Sequence, residues 1–395
     1  MNPIQRPGPT RRQLLLAGGS AFAAASLARL SNRPLLAQGA PPESVKPLGW
    51  AFVGLGSFTQ NQLLPGITRC KHSKCVAVVT GTPDKVNRPN RKLGGKSIKE
   101  TFSLKDSDVY SYENYDTIKN NPAVDVIYIV LPGGMHAEYT IRGFQAGKHV
   151  MCEKPMANSV AECQQMLDAA RTAGKKLQIG YRMHWDSPTA ACIAAIRKGE
   201  IGKVQSIEVA SGFNIGRTGW RLNKKLGGGG CLMDIGVYAV SAARYLSGEE
   251  PTEVVGRTRS LPNDGRFTEV ESDCEFDFKL PSGITVKGDT SYSRGLSRFA
   301  VNGDGGIALM QPSSGYMEPP DFRGTKFQIA RTAGGTPEPV DVPPMDQFVG
   351  EMDGFSVALQ NAAPFKATGE EGLQDVRIMM AIYESARTGQ PVKLT

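Results

Sequence analysis

The side chain best placed for chemistry in this sequence is a lysine at the end of an apolar run. Lys154 follows the run 149–152 in the segment Glu153-Lys154-Pro155, about a hundred residues after the turn Gly54-Leu55-Gly56. In an open parallel sheet, ligands bind at the carboxyl ends of the strands. We therefore expect Lys154, with Glu153 beside it, to face whatever the glycine turn holds.

The glycine turn follows a short apolar strand and precedes a helix. Two glycines allow a tight turn and a close approach of the backbone to a pyrophosphate, and the helix start offers its amide donors to phosphates. Thr59 stands where the third glycine of such turns is expected. The alternative is an ordinary turn between strand and helix. The predicted phosphate contacts are Gly54, Gly56, Ser57 and Phe58.

The second β-branched run, 75–80, ends without an acidic residue. NAD-binding folds usually carry Asp or Glu at this position to bind the adenosine ribose, whereas a 2′-phosphate requires hydroxyls and cations. Thr80 and Lys85 therefore favour NADP. Arg88 or Arg91 could add to this site, or be ordinary surface charges.

Strands and helices alternate from residue 49 to residue 181, which predicts a doubly wound, NADP-binding Rossmann domain. One apolar strand ends at Pro132, and the next helix begins near His136; both residues are predicted to border the cofactor. From residue 182 to residue 395, helices are expected near 188–198, 345–361 and 371–387, and between 252 and 311 long strands follow one another without helices. We expect an α+β domain there, with a largely antiparallel sheet that binds substrate and mediates oligomerisation, so the overall class is α/β.

The net charge of +8 is concentrated at the N-terminus. Five arginines and no acid precede Glu43, which leaves only +3 for the rest and argues against a nucleic-acid partner. Arg11-Arg12 followed by an apolar run predicts a twin-arginine signal peptide over 1–39, an arm over 40–48 and a periplasmic protein. A short membrane anchor is the alternative, although the run is shorter than a membrane span.

The cysteines and histidines do not form a recognisable framework. Seven cysteines include no C-x-x-C pair, and the four histidines are scattered. We predict no disulfide, with Cys70 and Cys75 as the least improbable bridge, and no metal site.

The glycine turn, the Glu-Lys-Pro strand end and the segment Asp234-Ile235-Gly236-Val237-Tyr238 together resemble the Gfo/Idh/MocA oxidoreductases, named after glucose-fructose oxidoreductase and inositol dehydrogenase. The resemblance covers nearly all of the chain from residue 50. It implies that Lys154, Asp234 and Tyr238 are catalytic, that Arg182, Trp220 and Arg221 line a sugar site, and that the protein forms homo-oligomers. Most relatives carry His at the position of Tyr238; members that transfer hydride between two sugars carry Tyr.

Oxidising an alcohol by hydride transfer requires a base for the hydroxyl proton, and the reverse reaction requires the matching acid. A phenol can perform both tasks beside a cation, which predicts that Tyr238 works next to Lys154. The resemblance further implies oxidation of an aldose such as glucose to the lactone and reduction of a second sugar such as fructose to an alditol. Alternatives are an NADP-dependent sugar or polyol dehydrogenase that releases its cofactor, an NAD-dependent glycosidase, and a sugar-binding protein without activity. Lys154 could also form a surface ion pair with Glu153, and Tyr238 could be a core aromatic.

Overall fold

A computed structural model describes residues 46–216, 219–320 and 322–394. The predicted signal peptide, residues 1–39, and most of the predicted arm, residues 40–48, lie outside the described residues.

The first sheet is parallel and holds six strands in the order β3-β2-β1-β4-β5-β6. Its strands are β1 (Leu48–Val53), β2 (Ser73–Val79), β3 (Val109–Tyr110), β4 (Val126–Ile129), β5 (His149–Cys152) and β6 (Leu177–Ile179). The strand order reverses between β1 and β4, and in such sheets the crevice at the reversal binds the ligand. The predicted doubly wound sheet is confirmed.

The helices of this half connect the parallel strands. Residues 57–67 are helical, with a π-helical turn at Thr59–Leu63. The helices are α1 (Leu64–Ile67), α2 (Ile98–Phe102), α3 (His136–Gln145) and α4 (Val160–Ala173). Ser159 caps α4 by accepting a hydrogen bond from the Glu162 amide, which satisfies one of the free donors of the first turn.

The second sheet holds nine strands in the order β14-β13-β12-β11-β7-β10-β9-β8-β15. All neighbouring strands are antiparallel except β7 and β10, which confirms the predicted largely antiparallel sheet. Its strands are β7 (Val204–Gly212), β8 (Glu253–Arg259), β9 (Asp273–Lys279), β10 (Thr285–Ser291), β11 (Leu296–Gly303), β12 (Ile307–Met310), β13 (Phe327–Ala330), β14 (Glu338–Pro339) and β15 (Val392–Lys393). The helices are α5 (Ser187–Arg197), α6 (Lys224–Gly227), α7 (Val237–Ser247), α8 (Gln347–Gln360) and α9 (Gly369–Thr388).

Helix α8 completes the hydrophobic core of the first sheet, although it belongs to the part of the chain that we assign to the second domain. Phe348, Met352 and Phe355 are fully buried in one cluster with Trp50 and its neighbours. The Trp50 indole donates a hydrogen bond of 3.0 Å to the Ser356 hydroxyl. The nucleotide-binding half therefore depends on a helix that the chain supplies about three hundred residues later.

All seven cysteines are free thiols. Cys70 is partly buried and the other six are buried, and burial raises the pKa of Cys70 and Cys75 well above its ordinary value. Within the described ranges, no group of three or more His, Cys, Asp and Glu side chains is arranged to hold a metal ion.

One described helical stretch, Lys224–Ser247, is long and apolar enough to cross a membrane. Of its apolar window, 78% is buried inside the fold, as in the core helix of a soluble protein.

Candidate active site

The two glycines of the turn after β1 have different surroundings. Gly54 has φ +96°, and a Cβ at this position would lie 2.3 Å from the Val130 carbonyl oxygen, so that only glycine fits. A Cβ at Gly56 would meet no protein atom within 4 Å. The Thr59 hydroxyl donates a 2.6 Å hydrogen bond to the Gly54 carbonyl, so the residue that replaces the third glycine fastens the turn. The turn is therefore held by protein contacts at Gly54 and is open to a ligand at Gly56.

An open cleft of about 650 Å³ adjoins Gly56 and Ser57. Three cations line it: Lys85, Arg91 and Lys92. The Lys85 ammonium donates to the Leu55 carbonyl at 3.2 Å, which brings its charge to the glycine turn. An open glycine, a helix start and three cations suit a dinucleotide with phosphate groups. The described residues therefore fit the cofactor that the sequence implies.

Three predicted cofactor contacts have other surroundings. Thr80 is buried and its hydroxyl accepts from the Thr82 amide at 3.1 Å, which shapes the turn after β2. The Phe58 ring packs 5.8 Å from that of Phe348. Neither residue lines the cleft. Pro132 lies before the short 3-10 turn Gly133–Met135, whose last amide donates to the Pro132 carbonyl.

His136, also predicted to border the cofactor, is buried, and both ring nitrogens contact backbone carbonyls. Nδ1 lies 2.8 Å from the Pro155 oxygen, and Nε2 lies 2.8 Å from the Leu131 oxygen. Burial lowers the pKa of His136. The ring therefore ties the end of one strand to the peptide that follows Lys154, which leaves neither nitrogen for a ligand.

Glu153 points into the core and away from the cleft. Its carboxylate accepts from the Tyr128 hydroxyl at 2.7 Å, and that hydroxyl lies 3.2 Å from the Glu351 carboxylate. Burial raises the pKa of Glu153 and of Glu351. The predicted contact between Glu153 and the cofactor is therefore not supported, because its buried carboxylate is bonded to the Tyr128 hydroxyl.

Lys154 meets Asp234 and Tyr238 where the end of β5 faces the start of α7. The Lys154 ammonium donates to the Asp234 backbone carbonyl at 2.6 Å and lies 3.5 Å from its carboxylate. The same ammonium is 4.8 Å from the centroid of the Tyr238 ring. The Lys154 side chain is only 12% exposed, so that a surface ion pair with Glu153 does not describe it.

Asp234 is the centre of this hydrogen-bond network. It lies in a π-helical turn, Leu232–Gly236, a form that is common at functional sites. The Arg221 guanidinium donates to its second carboxylate oxygen at 2.7 Å, and the Tyr292 hydroxyl does so at 3.0 Å. Burial alone would raise the pKa of Asp234, but the charges of Lys154 and Arg221 outweigh it and lower that pKa. The carboxylate is therefore ionised and holds both cations.

Arg182 was predicted to contact the sugar, but most of its guanidinium is bonded within the protein. It donates to the Gly315 carbonyl at 2.7 Å and to the Gln347 side chain at 2.9 Å. Its guanidinium carbon lies 5.0 Å from the Tyr238 ring centroid and 4.8 Å from that of Tyr316. Tyr238 thus has two cations within 5.0 Å of its ring centroid.

Trp220 and Arg221 lie together beside Asp234, with the Arg221 guanidinium 4.3 Å from a Trp220 ring centroid. Tyr292, Tyr316 and Gln347 also contact these residues and were not predicted from the sequence. Tyr292 directly follows β10, whose place beside β7 only the sheet topology reveals. The Tyr316 segment is rich in proline and glycine, and its sequence carried no signal beyond an irregular loop.

Taken together, the arrangement can transfer protons beside a nucleotide cleft. A phenol flanked by two cations can give up and recover a proton, and an ionised carboxylate fixes one of those cations. These properties belong to acid–base chemistry on a hydroxyl group.

Both halves of the chain are similar to known proteins. Residues 48–181 match the oxidoreductase family with an NAD-binding Rossmann fold, and residues 189–309 match the GFO/IDH/MocA C-terminal domain. D-xylose 1-dehydrogenase [NADP(+)] of Haloarcula marismortui is 25% identical over 88% of this chain and 93% of its own. The 1,5-anhydro-D-fructose reductase of Ensifer adhaerens is 26% identical over 72% of this chain and 84% of its own.

A solved structure is more similar in sequence. The aldose-aldose oxidoreductase of Caulobacter crescentus, complexed with glycerol, is 38% identical, with a TM-score of 0.81 over 88% of this chain and all of that chain. Both domains are matched by family, and the arrangement of the fold is shared with that enzyme. The chain therefore belongs to the Gfo/Idh/MocA family of oxidoreductases.

Proposed function

We propose that this protein is an NADP-containing sugar oxidoreductase that transfers hydride from an aldose to a second sugar. The observation that carries the proposal is the approach of the Lys154 ammonium to Tyr238, 4.8 Å from its ring, beside Asp234. Relatives named as xylose dehydrogenase, anhydrofructose reductase and aldose-aldose oxidoreductase support a sugar as substrate.

NADP is favoured over NAD by the charges of the nucleotide cleft. Lys85, Arg91 and Lys92 line it, whereas Thr80 stands at the end of β2 where NAD-binding folds carry an acid. Gly54, Gly56 and Ser57 would hold the pyrophosphate. Bound NADP would accept a hydride at its nicotinamide and return it.

The proton is handled by the residues of this chain. Tyr238 accepts the proton of the aldose hydroxyl as that sugar loses a hydride and becomes the lactone. Lys154 stabilises the phenolate, and Asp234 keeps Lys154 in position through its carbonyl and its carboxylate. Tyr238 then returns the proton as the second sugar gains the hydride and becomes an alditol. One hydride and one proton leave the first sugar and reach the second.

Two further features belong to the proposal. Arg11-Arg12 and the apolar run after it support export by the twin-arginine route to the periplasm, without a stable membrane anchor.

The second sheet supports a homo-oligomer, because a broad antiparallel sheet can face a second copy as readily as it faces water.

The test is to purify the whole protein without added nucleotide and to record nucleotide absorbance and fluorescence. We expect glucose and fructose together to give equal amounts of lactone and sorbitol, and glucose alone to give at most one equivalent of lactone. A second aldose should replace fructose in parallel, since the Caulobacter crescentus relative is named for two aldoses. The proposal fails if no sugar is oxidised with or without added NADP.

A second candidate is an NADP-dependent sugar dehydrogenase that releases its cofactor. The relationship to the D-xylose dehydrogenase of Haloarcula marismortui favours it. Sugar oxidation that proceeds only in proportion to added NADP, with no transfer to a second sugar, would select this candidate.

A further inference from the structure

A short segment of the second half crosses the nucleotide side of the molecule. Residues 314–318, here called the strap, lie between β12 and β13 and form neither helix nor strand. One end of the strap is fixed by Arg182, which donates to the carbonyls of Ser314 and Gly315. The same guanidinium lies over the Tyr238 ring. The strap therefore begins at the catalytic centre.

The middle of the strap packs against the helix of the glycine turn. Tyr316 is 44% exposed, yet its ring centroid lies 6.1 Å from that of Phe58 and 5.6 Å from that of Phe348. Phe58 follows Gly56 and Ser57, which line the nucleotide cleft. Tyr316 thus lies beside the position where the pyrophosphate would bind.

The far end of the strap reaches the cations of the cleft. The Glu318 carboxylate lies 3.7 Å from the Lys92 ammonium. The Gln62 side chain, with its nitrogen turned toward Glu318, donates to both carboxylate oxygens at 2.8 and 2.6 Å. Lys92 shares the cleft with Lys85, which follows the strand whose end reads the adenosine ribose in this fold. The strap therefore ends on the adenosine side.

Five residues thus connect the catalytic centre, the glycine turn and the adenosine side, over at most roughly 13–14 Å of extended chain. The contacts at Tyr316 and Glu318 are partly exposed to solvent, and such contacts break easily. The strap therefore borders the expected path of the dinucleotide at three points, so that its position affects how the nucleotide enters and leaves.

We propose that the strap is the gate that sets how long NADP stays bound, and so determines whether hydride passes between two sugars or leaves with the cofactor. This inference rests on the proposed function, since it assumes that the cleft holds NADP. Tyr316 and Glu318 are the residues that keep the gate closed.

The test measures NADPH association and release by stopped-flow fluorescence in the whole protein and in two variants, Glu318→Gln and Tyr316→Ala. A gate that opens more often accelerates entry and exit together. We expect both rate constants to rise about fivefold in Glu318→Gln and about tenfold in Tyr316→Ala, with little change in affinity. Glu338→Gln, which removes a charge from the exposed strand β14, should change neither rate constant.

Other patterns would overturn the gate. Unchanged rate constants would show that the strap does not control the nucleotide. Faster release with unchanged association would indicate an ordinary contact with the ligand, and faster association with slower release would indicate only the loss of a repelling charge. A protein that binds no NADPH would overturn the proposed function as well, whereas sugar oxidation with unaltered rate constants would overturn the gate alone.

Hydrogen exchange gives a readout that does not depend on the variants. Amides of the strap should exchange more slowly when NADPH is added to the nucleotide-free protein, because a closed gate is held against its partners. Equal exchange with and without NADPH would contradict the gate.

Discussion

At the scale of single residues, the candidate site depends on how charges surround one phenol. Tyr238 is 8% exposed and has the Lys154 ammonium and the Arg182 guanidinium at 4.8 and 5.0 Å from its ring centroid. Asp234 binds Lys154 and also binds Arg221. The carboxylate thereby neutralises part of the positive charge without contacting the phenol itself.

Replacing the phenol tests its role directly. We expect Tyr238→Phe to lower kcat/KM for sugar oxidation by about 100-fold or more, because the variant has no group that exchanges the hydroxyl proton. NADPH binding should remain, since the ring and its contacts with the cations are kept. Steady-state kinetics and a fluorescence titration measure the two effects.

Tyr245→Phe is the matched control for that variant. Tyr245 lies on the same helix, and its buried hydroxyl has no hydrogen-bond partner among the described residues. Removal of the Tyr245 hydroxyl should leave kcat/KM within about twofold, because deleting a polar group that has no hydrogen-bond partner costs little. Equal losses in the two variants would contradict a catalytic role for Tyr238.

The residue types and the strand pattern were sufficient to predict that Lys154 lies at the ligand-binding edge. They were insufficient for Glu153 and His136, whose side chains face the core and the backbone. Glu153 and Lys154 both follow Cys152, the last residue of β5, so the alternation of a strand does not extend to them. The partners of His136 depend on how two strand ends meet, which local sequence does not encode.

At the scale of elements, the turn after β1 contains Gly54, which the fold requires, and Gly56, which faces the open cleft. We expect Gly56→Ala to change the free energy of unfolding by less than about 0.5 kcal/mol but to weaken NADPH binding about tenfold, because its Cβ would project into the open cleft. Gly54→Ala should instead destabilise the protein by about 3 kcal/mol or more, since its φ is positive and its Cβ would meet Val130.

Urea unfolding and NADPH titration distinguish the two glycines. If Gly56→Ala unfolded as readily as Gly54→Ala, or bound NADPH with the affinity of the wild type, the cleft at Gly56 would not be the nucleotide site.

The start of β5 contains a histidine that should make stability depend on pH. Burial and the nearby Lys175 lower the pKa of His149 to about 4, from an ordinary value of 6.5. The unfolded chain therefore binds more protons between these values, so stability is complete above pH 6.5 and is lost as the pH falls toward 4. Protonation would also remove the acceptor for the Lys176 amide, 3.1 Å from Nδ1.

We expect the wild type to lose about 1 kcal/mol of unfolding free energy through His149 between pH 7 and pH 4.5, after allowance for its partial exposure. His149→Gln should lose less over the same interval, since Gln carries no titratable group. Urea unfolding at several pH values measures the difference, and identical pH profiles would refute it.

Apolar runs and their spacing predicted most of the strands, because a strand that is buried on both faces must be apolar throughout. β3 escaped prediction, since this two-residue strand exists only through its pairing with β2. The π-helical turns at Thr59–Leu63 and Leu232–Gly236 were also not predicted.

At the scale of the whole molecule, the nucleotide-binding half is completed by α8. The Phe355 ring is fully buried, with its centroid 6.3 Å from that of Trp50 in β1. The same helix carries Phe348, which contacts Phe58 and Tyr316. The first sheet, the glycine-turn helix and the strap therefore share one packing partner.

We expect Phe355→Ala to destabilise the protein by about 3–5 kcal/mol, because truncating a buried aromatic side chain leaves a cavity. The control is Met345→Ala, just before α8, whose side chain is 45% exposed and whose loss should cost less than about 0.5 kcal/mol. Urea unfolding measures both. Similar stabilities for the two variants would mean that α8 is not part of this core.

No local pattern could have predicted that packing. The sequence around α8 predicts a helix near residues 345–361, which the structure confirms, but it does not indicate which sheet the helix covers. Trp50 and Ser356 are about three hundred residues apart in the sequence, and they meet because the chain returns to the first sheet. The order of the elements along the chain does not determine that return.

The free state of all seven thiols has a consequence for how the protein is made. Since no covalent cross-link is part of the native state, the polypeptide requires neither an oxidant nor a disulfide isomerase to reach it. The chain can therefore complete its folding in reducing surroundings.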